Sequence, residues 1–263
     1  MKLTRTIFAA MMIVVIAACH HNSAARRPTR PAVDAELLHL TKDQLFQHGE
    51  DTYAKKRWAK ARTYYSYVYE NFPNDPLGRR SLLRVADTYF QQGTPVNLVE
   101  AQYKYRDFIN RYPGSDRADY AMLQIAMVSY KQMERPDRDQ TKTHEALDKF
   151  NDMIAAYPRS ALRVDADKYR TEAVDRLARH EHLIARFYKK RKSYNAAALR
   201  LNNLVEQYPN YSDRVGVFYD LGETLRSLGR KGEARLYFER VIAEFPKSEL
   251  AGKAKHQLDM IKA

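Results

Sequence analysis

Cysteine is almost absent from this chain: Cys19 is the only one in 263 residues. That excludes an internal disulfide framework and any C-x-x-C metal or redox motif. The nine glycines form no phosphate-cradling loop, and tryptophan occurs once. Neither G-x-S-x-G nor H-E-x-x-H occurs, so the nucleophile-elbow and zinc-protease signatures are missing too. We therefore expect no enzyme activity, no cofactor and no metal. No segment sustains period-two alternation, which predicts essentially no strand. The uncharged, mostly apolar run from Thr6 to Ala18 is too short to span a bilayer comfortably. What remains is an aromatic and basic chain, with nineteen tyrosines, ten phenylalanines and a formal net charge of +13.

One phrase recurs five times: Ala, three residues, a large apolar residue, six residues, an aromatic, then Pro. The copies are Ala61/Tyr65/Phe72/Pro73, Ala101/Tyr105/Tyr112/Pro113, Ala146/Phe150/Tyr157/Pro158, Ala197/Leu201/Tyr208/Pro209 and Ala234/Phe238/Phe245/Pro246. An apolar pair also recurs inside each copy, from Val68-Tyr69 to Val241-Ile242, so the spacings from Ala run four, seven, eight and eleven. Those spacings are one face of an α-helix, and Pro ends it because it lacks an N–H and disfavours helical geometry just before itself. Such a stripe cannot be buried by one helix alone, so repetition implies stacking. With Phe218, Leu221, Gly222 and Leu225 upstream of Ala234, the last copy falls on the large and small positions of the tetratricopeptide pattern of about 34 residues. Successive prolines stand 40, 45, 51 and 37 residues apart, so residues are added between helices or units. The expected fold is all-α: a tetratricopeptide-like helical solenoid of five helix pairs, with a C-terminal closing helix over Ser248 to Lys262. Asn74-Asp75-Pro76, Gly114-Ser115-Asp116 and Asn210-Tyr211-Ser212-Asp213 supply cap-type residues where new helices should begin.

Lys2 and Arg5 precede the Thr6–Ala18 run, giving the n-region and h-region of a secretory signal over residues 1–18. Ile16-Ala17-Ala18-Cys19 is similar to the bacterial lipobox, in which the cysteine is acylated and becomes the mature N-terminus. Cys19 is thus the candidate lipidation site; an ordinary signal cleaved near Ala18 is the alternative. His20, where inner-membrane lipoproteins commonly carry Asp, favours the outer membrane. Residues 19–35 are small, basic and Pro-interrupted, and read as a tether reaching on the order of 20 Å. Arg26, Arg27 and Arg30 either touch anionic headgroups or sit on a soluble spacer. The repeat domain follows over 36–263.

Removing residues 1–18 deletes Lys2 and Arg5 and no acid, so the charge falls from +13 to +11. A basic chain suits acidic partners. Export places it away from nucleic acid, and its basic residues are dispersed outside any nucleic-acid motif. Acidic protein surfaces and lipid headgroups fit better. His180-Glu181-His182 looks like a ligand cluster, but helical residues two apart point to different sides and do not converge on one metal.

Three stretches are more specific than the repeat itself: Asp119-Tyr120-Ala121, the insert Asp137-Arg138-Asp139-Gln140-Thr141 leading into Glu145-Ala146-Leu147, and Asp175-Arg176-Leu177-Ala178 running on through Glu181 to Ala185-Arg186-Phe187-Tyr188. Together with the lipobox they make the chain resemble the BamD family, lipoproteins of the machinery that inserts β-barrel proteins into the Gram-negative outer membrane. The resemblance implies a lipid-anchored scaffold on the periplasmic face. Its C-terminal half would dock on the periplasmic domains of BamA beside other subunits, and its N-terminal repeats would receive unfolded outer-membrane protein precursors. Arg200 falls on the arginine by which the family pairs with an acidic residue of BamA; a solvated surface arginine is the alternative. For precursors, the first-helix positions Phe46, Glu50, Tyr53, Leu83, Asp87 and Phe90 are the candidates, offering aromatic area and a few charges to an extended peptide. Lys56 and Lys192 stand where the family often has Gly in a turn, and a left-handed turn there costs about 1 kcal/mol. The C-terminal unit is closer to generic periplasmic repeat proteins. The alternative function is another periplasmic repeat lipoprotein, such as a Tol-Pal-associated factor or an adaptor of cell-wall enzymes.

Overall fold

The computed structural model describes residues 35–262. The expected signal sequence, Cys19 and all but the last residue of the expected tether therefore lie outside the described residues. The chain divides into two compact units, residues 1–41 and 42–263. Within the first, a single helical turn covers Ala35–Leu38.

The second unit holds eleven helices in chain order: α1 (Lys42–Ala54), α2 (Trp58–Asn71), α3 (Pro76–Gln92), α4 (Pro95–Arg111), α5 (Ala118–Lys131), α6 (Thr141–Ala156), α7 (Arg163–Lys190), α8 (Tyr194–Gln207), α9 (Arg214–Ser227), α10 (Lys231–Glu244) and α11 (Glu249–Lys262). Each packs on the next, and first helices of successive pairs also touch, α1 with α3, α5 with α7 and α7 with α9. This is the expected array of five helix pairs and a closing helix, and no strand occurs among the described residues.

The recurring phrase accounts for the packing. Its five alanines are all fully buried, and so are Tyr65, Tyr105, Phe150, Leu201 and Phe238 one turn later. The small residue lets the partner helix approach, and the large one fills the space beside it. In the first and last helix pairs the closeness is extreme at one glycine each: a Cβ on Gly49 would stand 2.5 Å from the Tyr65 ring, and one on Gly222 2.7 Å from Phe238. Each phrase ends alike. Phe72, Tyr112, Tyr157, Tyr208 and Phe245 leave the helix with ψ between 51° and 62°, out of the α region that a following Pro disfavours, while their N–H groups still reach the carbonyl four residues back.

Helix starts follow the cap chemistry in part. Asp75 accepts from the Leu77 N–H ahead of Pro76, and Asp213 from the Gly216 N–H. At α5 no side chain caps the helix directly; Ser115 Oγ instead accepts from the Arg117 N–H in the preceding turn. Four of the five intra-pair turns need a left-handed residue: Lys56, Gly93, Lys192 and Gly229. The third pair is joined by the insert, which α7 holds down. Arg176 donates to the Glu134 carbonyl at 2.7 Å, and His180 Nδ1 lies 2.6 Å from the Pro136 carbonyl, which makes Nδ1 the donor. Gln140 closes the loop from within by donating to the carbonyls of Arg135 and Arg138.

Candidate functional site: two polar clusters on the first helices

Positions three and four apart on a helix share a face, so Phe46, Glu50 and Tyr53 stand together on α1 and Leu83, Asp87 and Phe90 on α3, with Arg84 linking the two helices. Glu50 is the hub. It accepts from Tyr65 Oη at 2.7 Å and takes a two-pronged guanidinium contact from Arg84, at 2.8 Å from Nε and 2.6 Å from Nη2. Arg84 also lies 3.4 Å from Asp87, whose Oδ1 accepts from Tyr105 Oη at 2.7 Å and Tyr120 Oη at 2.8 Å. The chain of contacts thus joins the first three helix pairs through α1, α2, α3, α4 and α5. Burial pushes the Asp87 carboxyl above the usual carboxylate range, and the tyrosine hydroxyls and Arg84 offset this only in part. Burial likewise raises Tyr105 and Tyr65.

The six do not contribute equally. Phe46, Leu83 and Asp87 are buried, at 7%, 4% and 4% exposure, and of the six only Leu83 and Asp87 line the adjoining cavity; Glu50, Tyr53 and Phe90 are half-buried. Arg80 lies over the Phe46 ring, Arg84 over Tyr53 and Lys131 over Phe90. A cavity of about 180 Å³ opens here, lined by Arg80, Leu83, Arg84, Asp87, Arg117 and Tyr120. Its three arginines were missed by sequence reasoning. Arg80, Arg84 and Asp87 at spacings of four and three were a usable signal for one helix face; nothing local marks Arg117 as their neighbour.

The second cluster joins α7, α8 and α9. Arg200 on α8 donates to Glu181 at 2.9 Å and keeps 44% of its side chain exposed. The three residues of the His180-Glu181-His182 motif point three ways: His180 to the insert, Glu181 to Arg200, and His182 inward, where Nε2 meets Asp220 at 2.9 Å. Burial works against ionisation of Asp220, but His182 and Lys189 hold its carboxyl below the ordinary value. Lys189 also bonds Glu223, so its ammonium is shared between two carboxylates of α9.

Residues 39–235 match the family model described as YfiO, outer membrane lipoprotein. Among curated proteins, the outer membrane protein assembly factor BamD of Caulobacter vibrioides is 28% identical over 191 residues, covering 73% of this chain and 62% of that protein. The protein of the same name from Rickettsia prowazekii is 26% identical over 205 residues, covering 78% of this chain and 80% of its own length. The chain thus spans less than two thirds of the first relative and four fifths of the second. Among solved structures, the TPR2AB domain of yeast Sti1 aligns over 83% of each chain with a TM-score of 0.45 at 13% identity.

Proposed function

This chain belongs to the YfiO family of outer membrane lipoproteins, and from that premise we propose that it acts without catalysis, as a scaffold in the assembly of outer-membrane proteins. The carrying observation is the extent of the match, which runs from before α1 into α10 and therefore takes in most of the repeat array. The relatives named above are outer membrane protein assembly factors.

In this reading the cavity between α3 and the start of α5 receives part of an unfolded precursor. A pocket with three guanidiniums beside Leu83 and the Tyr120 ring suits a carboxylate-bearing segment with an apolar or aromatic neighbour. On the other half, Arg200 meets an acidic residue of BamA, exchanging or sharing its bond to Glu181. Cys19 carries the lipid that holds the scaffold at the outer membrane. Affinity capture of the full chain from detergent-solubilised envelopes tests the scaffold role: BamA is expected in the eluate, and recovery of Tol-Pal components or cell-wall hydrolases in its place would refute the reading. The intact mass of the same captured protein tests the anchor, since an unacylated mature chain rules out Cys19 as the lipid site.

A further inference from the structure

We propose that the face of α7 turned away from Arg200 is a second protein-docking surface, which takes a carboxylate side chain of a partner into a recess and packs an apolar neighbour beside it. Arg179, Leu183, Arg186, Phe187 and Lys190 follow one another at steps of four, three, one and three, so they share one face of the helix. Glu181, which holds Arg200, points to the opposite side. Leu183 and Phe187 are 40% and 54% exposed, an apolar pair one turn apart that keeps about half of its surface open to solvent. Arg191 lies 5.4 Å from the Phe187 ring centre and flanks it.

Beside this pair lies a cavity of about 270 Å³ whose lining includes Arg179, Arg186, Leu183, His182, Tyr211 and Asp213. Its charge balance is what selects the occupant. No carboxylate among the described residues forms an ion pair with Arg179 or Lys190, and Arg186 reaches Asp220 only at 3.5 Å with 61% of its side chain exposed. The nearby acids are already committed. Asp175, one turn before Arg179, accepts from the N–H and hydroxyl of Ser212 at 2.7 and 3.0 Å. Asp213 caps α9 through Gly216 and stands 3.7 Å from His182 Nδ1, while Asp220 is matched by His182 and Lys189. Two guanidiniums, two turns apart on one helix, are left facing the same recess. Guanidinium pairs carboxylate with two parallel hydrogen bonds, so an Asp or Glu side chain is the complementary group. A recess between helices admits one such side chain; the planar phosphate array of a bilayer would leave it unfilled. The surface does not depend on Arg200 or on the N-terminal cavity.

The test places the photoreactive residue p-benzoylphenylalanine at Leu183 of the full chain in intact envelopes, followed by mass spectrometry of the cross-linked peptide. The expected adduct is one polypeptide segment carrying Asp or Glu within four residues of an apolar side chain. Its yield should fall at least ten-fold in the Arg179→Glu, Arg186→Glu background and clearly in the milder Arg179→Gln, Arg186→Gln chain, with the circular dichroism melt unchanged. It should persist in Arg200→Glu. A lipid adduct would make this a membrane-facing surface and overturn the proposal. So would no adduct, a segment without an acid, a yield indifferent to the charge of residues 179 and 186, or equal loss in Arg200→Glu.

Discussion

At Lys56 and Lys192 the backbone turns left-handed, with φ of 58° and 60°, a conformation that crowds any Cβ against the following carbonyl. The equivalent turns of the second and fifth pairs use Gly93 and Gly229. Both lysine turns nonetheless form, because the N–H of the following residue closes on the carbonyl five back, Arg57 on Thr52 and Ser193 on Tyr188. Lys56→Gly and Lys192→Gly are each expected to raise stability by about 0.5–1 kcal/mol, the relief of strain exceeding the extra entropy of unfolded glycine. The two lie in different helix pairs, the first and the fourth, so their effects should add in urea titrations. Asp87 offers a second test of a single residue. Its folded-state pKa is raised by burial, so the folded protein holds a proton that the unfolded chain releases. The linked stability is complete below the unfolded carboxylate value and is lost as pH rises through the folded one. Asp87→Asn keeps an acceptor for Tyr105 and Tyr120 and removes the titration. Wild-type stability relative to this variant should therefore increase as pH falls from 7 toward 4; a difference flat in pH would contradict the buried, proton-favouring site.

Among elements, the helix pair is the cooperative unit, and its weakest tolerance is at the crossing of first and second helices. Ala234 on α10 is fully buried, and the neighbouring α9 backbone comes so near that Gly222 has no room for a methyl group against Phe238. Ala234→Phe is expected to overpack this crossing and lower stability by about 1–3 kcal/mol, seen as a lower melting temperature with the helical spectrum retained. An unchanged melt would mean that the crossing has room the geometry does not show. The insert between α5 and α6 behaves differently. It has little apolar stripe of its own and is held by polar contacts from Arg176 and His180 on a helix more than forty residues away.

For the whole molecule, the proposed scaffold role rests on surfaces that successive helix pairs build together. The Arg200–Glu181 pair is exposed, and exposed pairs contribute little to stability, roughly 0–1 kcal/mol. Arg200→Glu should therefore leave the melting temperature nearly unchanged. Binding to purified BamA periplasmic domains should weaken ten-fold or more, at about 1.4 kcal/mol per decade. Low salt is the proper condition, since screening would hide a rim charge. Equal affinity of wild type and variant would leave Arg200 as a surface residue paired with Glu181 and nothing more.

The fold was legible because the instruction for each helix is local and repeated. Ala61, Tyr65, Val68 and Phe72-Pro73 specify spacing, burial and termination within a dozen residues, and the same physics recurs through Ala234, Phe238, Val241 and Phe245-Pro246. The left-handed cost at Lys56 and Lys192 was legible for the same reason, as a turn is set by its own few residues. The sites were not. Glu50 meets Arg84 across 34 positions, Asp87 meets Tyr120 across 33, and His182 meets Asp220 across 38. Such partners carry no periodicity, because they are chosen by how one pair stacks on the next. Stacking is also what buried Phe46, Leu83 and Asp87 while leaving Glu50, Tyr53 and Phe90 half open, and what set Arg80 and Arg117 on one cavity. Helix, turn and repeat follow from interactions within reach along the chain; which charges remain unmatched on its surface is decided only when distant helices close on one another.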